Sequence, residues 1–448
     1  MKRQLLFMAM CLLPFSLMAE EYTDEETHLN FEIQTWDDII TVAVIKNSPL
    51  VSGDLVIPSH LLGYPVSAIG ERAFENNTAL TSVSIPSGDP NYGNMTMGQG
   101  CFIGCTNLKK VKIGANTYYP QYQYTGFGPY MGVGPFDGCT ALEEVYIDSD
   151  HLVGGDFSIP VDNLKTLTFG DHITTVHKFS DDMTNLENLY IGKNVKQIDD
   201  LAFVRSTKLT RVDLPEGLEE IGAYAFEKCV NAVFTLPSTL KKIAYGAFCD
   251  CKSLTSITIP GSVESISGLA FAGCDRLESV KFEEGVLDIF DYAFGGCISL
   301  KDIRFPESLL EIGASAFANC KSLQTVTIPK GVEWIAEGAF ADNPNLMTVI
   351  SLIEEPFGIE DNTFNCSYEK GTLYVPNGTE KKYRDTYAWS CFGNIKELGE
   401  STGVAPITTK TKADMTVYSL DGRRVAADMQ STKAKGVYIT GGHKVLVK

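Results

Sequence analysis

A phenylalanine returns every 22 to 24 residues through the second half of this chain, at Phe203, Phe226, Phe248, Phe271, Phe294, Phe317, Phe340 and Phe364. Such a period constrains the fold more than any composition does. A unit of about 23 residues cannot bury its own apolar face, so it has to stack on its neighbours. The unit is clearest where Ile243-Ala244-Tyr245-Gly246-Ala247-Phe248 is followed by Cys251, Leu254, Ile257, Ile259, Pro260, Val263 and Ile266. The Leu254, Ile257, Ile259 segment alternates and predicts a short strand with one buried face; Pro260 ends it, having no N–H to donate. Related units run from Phe74 through Leu80, Val83 and Ile85, from Phe102 through Leu108, Val111 and Ile113, and from Phe136 through Leu142, Val145 and Ile147. Another starts at Phe179 and continues through Leu186, Leu189 and Ile191. With a half-unit from Gly53 to Ile69, about twelve turns lie between residues 50 and 376. The expectation is a β-rich solenoid with one short parallel strand per turn and a stack of phenylalanine rings along its core.

The flanks differ from the array. Residues 1–19 read as a secretory signal: Lys2 and Arg3, then an apolar run from Leu5 to Leu13, Pro14, and Ala19 before Glu20. Cys11 lies inside that run behind Ala9-Met10 and is no lipidation site. Residues 20–50 read as an N-terminal cap, 51–370 as the solenoid, and 371–398 as an aromatic C-terminal cap containing Tyr387, Trp389 and Phe392. Residues 399–414 form a polar linker and 415–448 a small β module. No later stretch is long enough for a membrane span.

The Ile…Ala-Phe-x-x-Cys-x-x-Leu-x-x-Val-x-Ile-Pro unit resembles the BspA-like leucine-rich repeat of bacterial surface proteins. The Leu373-Tyr374-Val375-Pro376-Asn377-Gly378…Tyr…Trp segment is similar to the last turn common in that family. The resemblance implies a leucine-rich-repeat solenoid, export to the cell surface, and in some members adhesion to host matrix or to other bacteria. Val417-Tyr418-Ser419-Leu420-Asp421-Gly422-Arg423 and the closing Lys444-Val445-Leu446-Val447-Lys448 resemble the sorting domain of the type IX (Por) secretion route of Bacteroides-group bacteria. That implies an outer-membrane-associated or secreted protein of a Gram-negative cell. A small β module that only protects the chain end is the alternative.

Candidate chemistry thins out on inspection. Seven of the twelve cysteines, Cys105, Cys139, Cys229, Cys251, Cys274, Cys297 and Cys320, sit three residues after a repeat phenylalanine, where other turns carry Asn77, Ser206 and Asn343. A position that accepts Cys, Asn or Ser calls for a small side chain that hydrogen-bonds turn backbone, so these read as buried free thiols. Parallel Cβ vectors also disfavour bridges between them. Cys366 and Cys391 remain as a candidate bridge across the C-terminal cap. The six histidines form no ligand motif, Asp148-Ser149-Asp150 lacks the rest of a calcium loop, and no phosphate loop or nucleophile elbow occurs. No cofactor, no metal and no enzymatic activity are expected.

What remains is a binding surface. A formal net charge of −19 argues against nucleic acid and anionic lipid as partners. The exposed positions of the strand ladder include Tyr146, Tyr190, Arg211, Lys281 and Arg304, and solenoids usually bind on that concave face. An insertion carries Tyr118, Tyr119, Tyr122, Tyr124, Phe127 and Tyr130 among Gly and Pro. Its rings suit protein or sugar recognition, or they fold back and cover core. The reading is a monomeric, exported, non-enzymatic adhesion or interaction protein with a protein or glycan ligand. A carbohydrate-capturing accessory protein and an envelope spacer are the alternatives.

Overall fold

The structure, a computed structural model, describes residues 21–36, 40–48, 50–89, 91, 93–119, 133–152, 158–179 and 182–399, and four strands beyond. The expected secretory signal and the expected 399–414 linker, apart from Gly399, lie outside the described residues. The chain divides into two compact units. Residues up to Val375 together with Thr379–Lys396 form the solenoid, and Pro376–Gly378 with Glu397–Lys448 form the second. Within the second, strands Arg424–Ala426, Val417–Ser419, Gly436–Thr440 and His443–Val447 lie side by side in that order, all antiparallel.

The solenoid makes about fourteen turns, two more than the repeat reading gives. A complete missed coil lies between Phe136 and Phe179. Its strand Thr166–Phe169 sits in register between Glu144–Ile147 and Asn188–Tyr190. No Ala-Phe pair announces this coil, because residues before Leu164 depart from the template, and so its Leu164-x-x-Leu167-x-Phe169 strand goes unnoticed.

Each coil contributes one strand to a front ladder, from Gly53–Val56 to Thr372–Val375. Its successive pairings are parallel and, after a register shift between Gly53 and Asp54 in the first, stay in register, as Ser256↔Ser279↔Asp302↔Thr325 illustrates. Most coils also contribute a second, two-residue strand built on the template's last isoleucine, which the sequence reading did not foresee. Eight of these run from Thr175–Val176 to Trp334–Ile335 as a back ladder. In the N-terminal part the same side is formed by Ile40–Ile45, Tyr64–Ile69, Met95–Met97 and Thr117–Tyr118. Asn30–Trp36 and Glu21–Thr23 extend this sheet antiparallel beyond Ile40–Ile45, so the first coil does not present a bare edge.

Between the ladders every repeat phenylalanine points into the core. The rings form parallel stacks with centroids 4.9 to 5.6 Å apart, one over Phe74, Phe102 and Phe136 and one from Phe203 to Phe364. The stack is therefore not continuous. At the coil without Ala-Phe, the strand residue Phe169 packs against Phe179 and Phe203 instead. At the far end Phe364 meets Trp389 and Phe392 of the cap. Trp389 donates its indole N–H to the Phe357 carbonyl at 2.9 Å, and the buried Tyr383 hydroxyl donates to the Ile353 carbonyl at 2.8 Å.

The turn around each phenylalanine is tight. In most coils the residues two before and two after it adopt positive φ, as in Gly246 (63°) and Asp250 (59°), or Tyr292 (57°) and Gly296 (75°). Non-glycine residues there cost about 1 kcal/mol each. The geometry is retained because it aims the turn's amides at the next coil: Phe226 N–H donates to the Ala247 carbonyl at 2.9 Å, Phe248 to Ala270 at 2.8 Å. Cysteine completes the layer from the other side. The Cys251 thiol donates to the Phe226 carbonyl one coil back at 3.3 Å, and all seven repeat cysteines make the equivalent bond. Asn343 does the same through its amide to the Phe317 carbonyl at 2.9 Å. Burial pushes the Cys229 and Cys320 thiols up to about 12. Cys366 and Cys391, the candidate bridge, are separate exposed thiols instead.

Two outcomes follow. Phe294→Ala removes a ring stacked on both Phe271 and Phe317 and should cost about 3–5 kcal/mol. The exposed Phe290→Ala in the same coil should cost less than about 1 kcal/mol; urea unfolding followed by far-UV circular dichroism compares them. Of the described cysteines, only Cys366 and Cys391 should react promptly with a thiol reagent in the native protein, and the repeat thiols only on unfolding.

Candidate functional site

The alternation of the front strands points one residue set inward and the next outward. The outward residues align in two columns along the ladder. One runs Ser82, Lys110, Glu144, Thr166, Asn188 and the other Ser84, Lys112, Tyr146, Thr168, Tyr190. None of these side chains is needed to fill the core, so this face is chemically free to vary from coil to coil.

It is also uneven. A hollow of about 280 Å³ is lined by residues including Val56, Ser84, Lys110, Lys112, Tyr146 and Thr168. A second of about 300 Å³ lies against Glu187, Asn188, Tyr190, Thr210 and Asp213, where the hydrogen-bonded front ladder is interrupted between Asn188–Tyr190 and Arg211–Asp213. Tyr146 borders the first hollow and Tyr190 the second, with only Thr168 between them in the column. Two strand spacings put the two backbones about 10 Å apart.

The electrostatics of the first hollow are set by close pairs. Lys110 Nζ lies 3.0 Å from Glu144. The Ser82 and Thr81 hydroxyls donate to Asp54 and hold its carboxyl below the usual range. Partial burial, with the Asp148 carboxylate nearby, raises the Tyr146 hydroxyl above its ordinary value. Lys112 Nζ lies 5.3 Å from the centre of the Tyr146 ring, a cation–π contact. Among the described residues Lys112 makes no ion pair. The hollow thus offers one uncommitted cation, an aromatic face and a floor of hydroxyls. It holds no pair of carboxylates placed for acid–base work.

The repeat that builds this face decides the family. The family model described as the BspA type leucine rich repeat region (6 copies) matches five times, over residues 59–180, 128–233, 178–300, 231–347 and 288–399. The chain belongs to the BspA-type leucine-rich repeat family. Such proteins are typically non-enzymatic binding proteins. Among solved structures, a leucine rich cell surface protein from Faecalibacterium prausnitzii is similar at 22% identity, covering 86% of this chain and 96% of its own, with a TM-score of 0.31. A leucine-rich repeat protein from Bacteroides ovatus is similar at 17% identity, covering 86% of this chain and 100% of its own, with a TM-score of 0.44. No curated protein matches the chain in sequence.

Within this BspA-type solenoid the expected contact residues scatter. Tyr118 is exposed at the end of the N-terminal sheet, but Tyr119 is buried, and its hydroxyl donates to the Val133 carbonyl at 2.5 Å. Tyr119 therefore covers core and anchors the base of the insertion. Tyr122, Tyr124, Phe127 and Tyr130 lie outside the described residues. Arg211 stands in register beside Val233 of the next coil. Lys281 and Arg304 are exposed neighbours in one column, further along the ladder than Tyr190 and across its interruptions. The two close histidines do not converge: His172 Nδ1 pairs with Asp148 at 2.9 Å and His177 Nδ1 with Asp199 at 2.6 Å. Among the described residues no helix is long and apolar enough to cross a membrane.

Proposed function

We propose that this chain is an exported surface protein that holds a protein or glycan ligand against the outer face of its front ladder. Tyr146 and Tyr190 are its anchors, with Lys112 beside Tyr146 on the side away from Tyr190. The observation that supports this most is the pairing of each tyrosine with a hollow, on a face whose side chains the core does not need. Tyrosine gives a large contact area with few rotatable bonds, and a rigid ladder holds it without further ordering on binding. Lys281 and Arg304 extend the contact for a long ligand. The N-terminal signal would direct export and the C-terminal four-stranded module would act as the sorting element. No cofactor enters this reading, and the protein works as a monomer.

The test is an array of host-matrix proteins, glycans and bacterial-cell targets probed with the full mature chain. A Tyr146→Ala/Tyr190→Ala variant should lose about tenfold or more in affinity for whatever ligand the array returns, with its urea midpoint unchanged. An array with no ligand, or a double variant that binds like the native protein, would overturn the assignment.

A further inference from the structure

The back ladder carries a second set of outward residues, and over five coils they are not what a solvated surface needs. Tyr245, Phe290, Tyr292 and Trp334 are 46%, 45%, 51% and 56% exposed. The strands they flank, Lys242–Ile243, Ser265–Ile266, Asp288–Ile289, Glu311–Ile312 and Trp334–Ile335, pair in parallel in that order. The aromatic residues thus fall on the first, third and fifth coils. Counted from each coil's isoleucine, Ser267 and Gly313 stand in Phe290's place, Gly268 and Ala314 in Tyr245's, Leu269 and Ser315 in Tyr292's, and Ser265 and Glu311 in Trp334's. Gly268 leaves room for its neighbour's ring: a Cβ there would stand 3.0 Å from Tyr245 Cε2. The exposed rings recur at every second coil, about 10 Å apart along the solenoid, at different places across the ladder.

Tyr292 also occupies one of the positive-φ positions, with φ 57°. Leu269 and Ser315 hold the same conformation in the neighbouring coils and Gly246 and Gly338 in others, so a glycine is compatible with the backbone at this place.

The charge around the rings narrows the ligand. Glu264, Asp288, Asp291, Glu311, Glu333 and Glu337 belong to the same segments of the five coils, where the basic residues are Lys241 and Lys242, both at one end. Polyanions are repelled. A second copy docked face to face would set these carboxylates against their own kind. A neutral polyhydroxyl chain has the opposite match, because carboxylates accept hydrogen bonds from hydroxyls while aromatic faces stack on the apolar faces of pyranose rings. In an extended β-1,4-linked glycan, alternate sugars present the same face, so the ligand's own repeat is the disaccharide, on the same length scale as two coils.

We propose that Tyr245, Phe290, Tyr292 and Trp334 form a binding strip for an extended, neutral β-1,4-linked glycan, on the ladder opposite to the front-face site.

The full mature chain would be tested for retention on microcrystalline cellulose and on chitin, which separates glucose from N-acetylglucosamine chains. Cellohexaose and chitohexaose would be titrated against tryptophan emission, since Trp334 is exposed while Trp389 is buried. The proposal expects retention on at least one polysaccharide and binding of its hexaose. The matching disaccharide, reaching a single ring, should bind at least about tenfold more weakly. Phe290→Ala/Trp334→Ala should abolish retention and the fluorescence change. Tyr292→Gly should weaken binding severalfold while leaving the urea midpoint unchanged or raised, which separates a contact role from a structural one. Tyr146→Ala/Tyr190→Ala should bind the glycan normally. No retention on either polysaccharide, retention that survives Phe290→Ala/Trp334→Ala, or loss with the front-face variant would each overturn it. So would sedimentation showing a self-association that Trp334→Ala removes, or exclusive binding of polylysine.

Discussion

Everything in this solenoid hangs on the bonds by which one coil satisfies the next. Around most of the repeat phenylalanines the backbone doubles back through two left-handed residues, which turns several amides and carbonyls out of the coil's own plane. Alone, these groups would be buried without partners, a cost comparable to a lost hydrogen bond for each. In the stack they pair: amides reach forward to the following coil, and cysteine or asparagine side chains reach back to the phenylalanine carbonyl of the preceding one. The ring stack follows from that registration. Once the backbones repeat in register, identical side chains are set one strand spacing apart, and flat rings fill that spacing without voids.

This explains both why the fold was legible in the sequence and where legibility ended. Phe203 to Phe364 and their cysteines are read straight from the period, because each coil is bound to obey the same constraint. The coil with Thr166–Phe169 was missed because its residues before Leu164 lack the Ala-Phe pair, although the coil keeps the 22-residue period, and the inward Phe169 packs against Phe179 and Phe203 instead. The back ladder was missed for a different reason. Its strands are two residues long, too short to show an alternating pattern, and only their pairing reveals them. Ser149 illustrates how local the substitutions can be. Where the back ladder is interrupted after Thr117–Tyr118, the Ser149 hydroxyl accepts from the Thr117 amide at 3.1 Å and donates to its carbonyl at 2.7 Å, standing in for a strand.

Surface chemistry was less legible because the repeat dictates only what points inward. Tyr118 and Tyr119 are adjacent and chemically identical, yet one is exposed and the other is held in the core by Val133. Composition cannot separate them. Tyr146 and Tyr190 were placed correctly on the outer face by alternation, but their hollows depend on neighbouring coils and on the ladder's interruption. Tyr245, Phe290, Tyr292 and Trp334 flank isoleucines of a ladder that the template did not contain. Their one sequence signal is an aromatic residue at places where most sister coils carry a small or charged one. Ligand-facing residues in such a protein are departures from the repeat, at positions that the repeat leaves open.

The central claim is that each coil is an interchangeable layer, bound to its neighbours by the same backbone and thiol bonds. The most direct measurement is urea unfolding of a chain from which residues 295–317 are excised, joining Phe294 to Ala318 in the template's own register. The account predicts a folded protein with unchanged β-type circular dichroism. It should unfold cooperatively with a slightly smaller m-value, as one layer's surface is removed. A chain that loses its cooperative transition or aggregates would contradict it, because the coils would then depend on particular neighbours and not on a shared layer geometry.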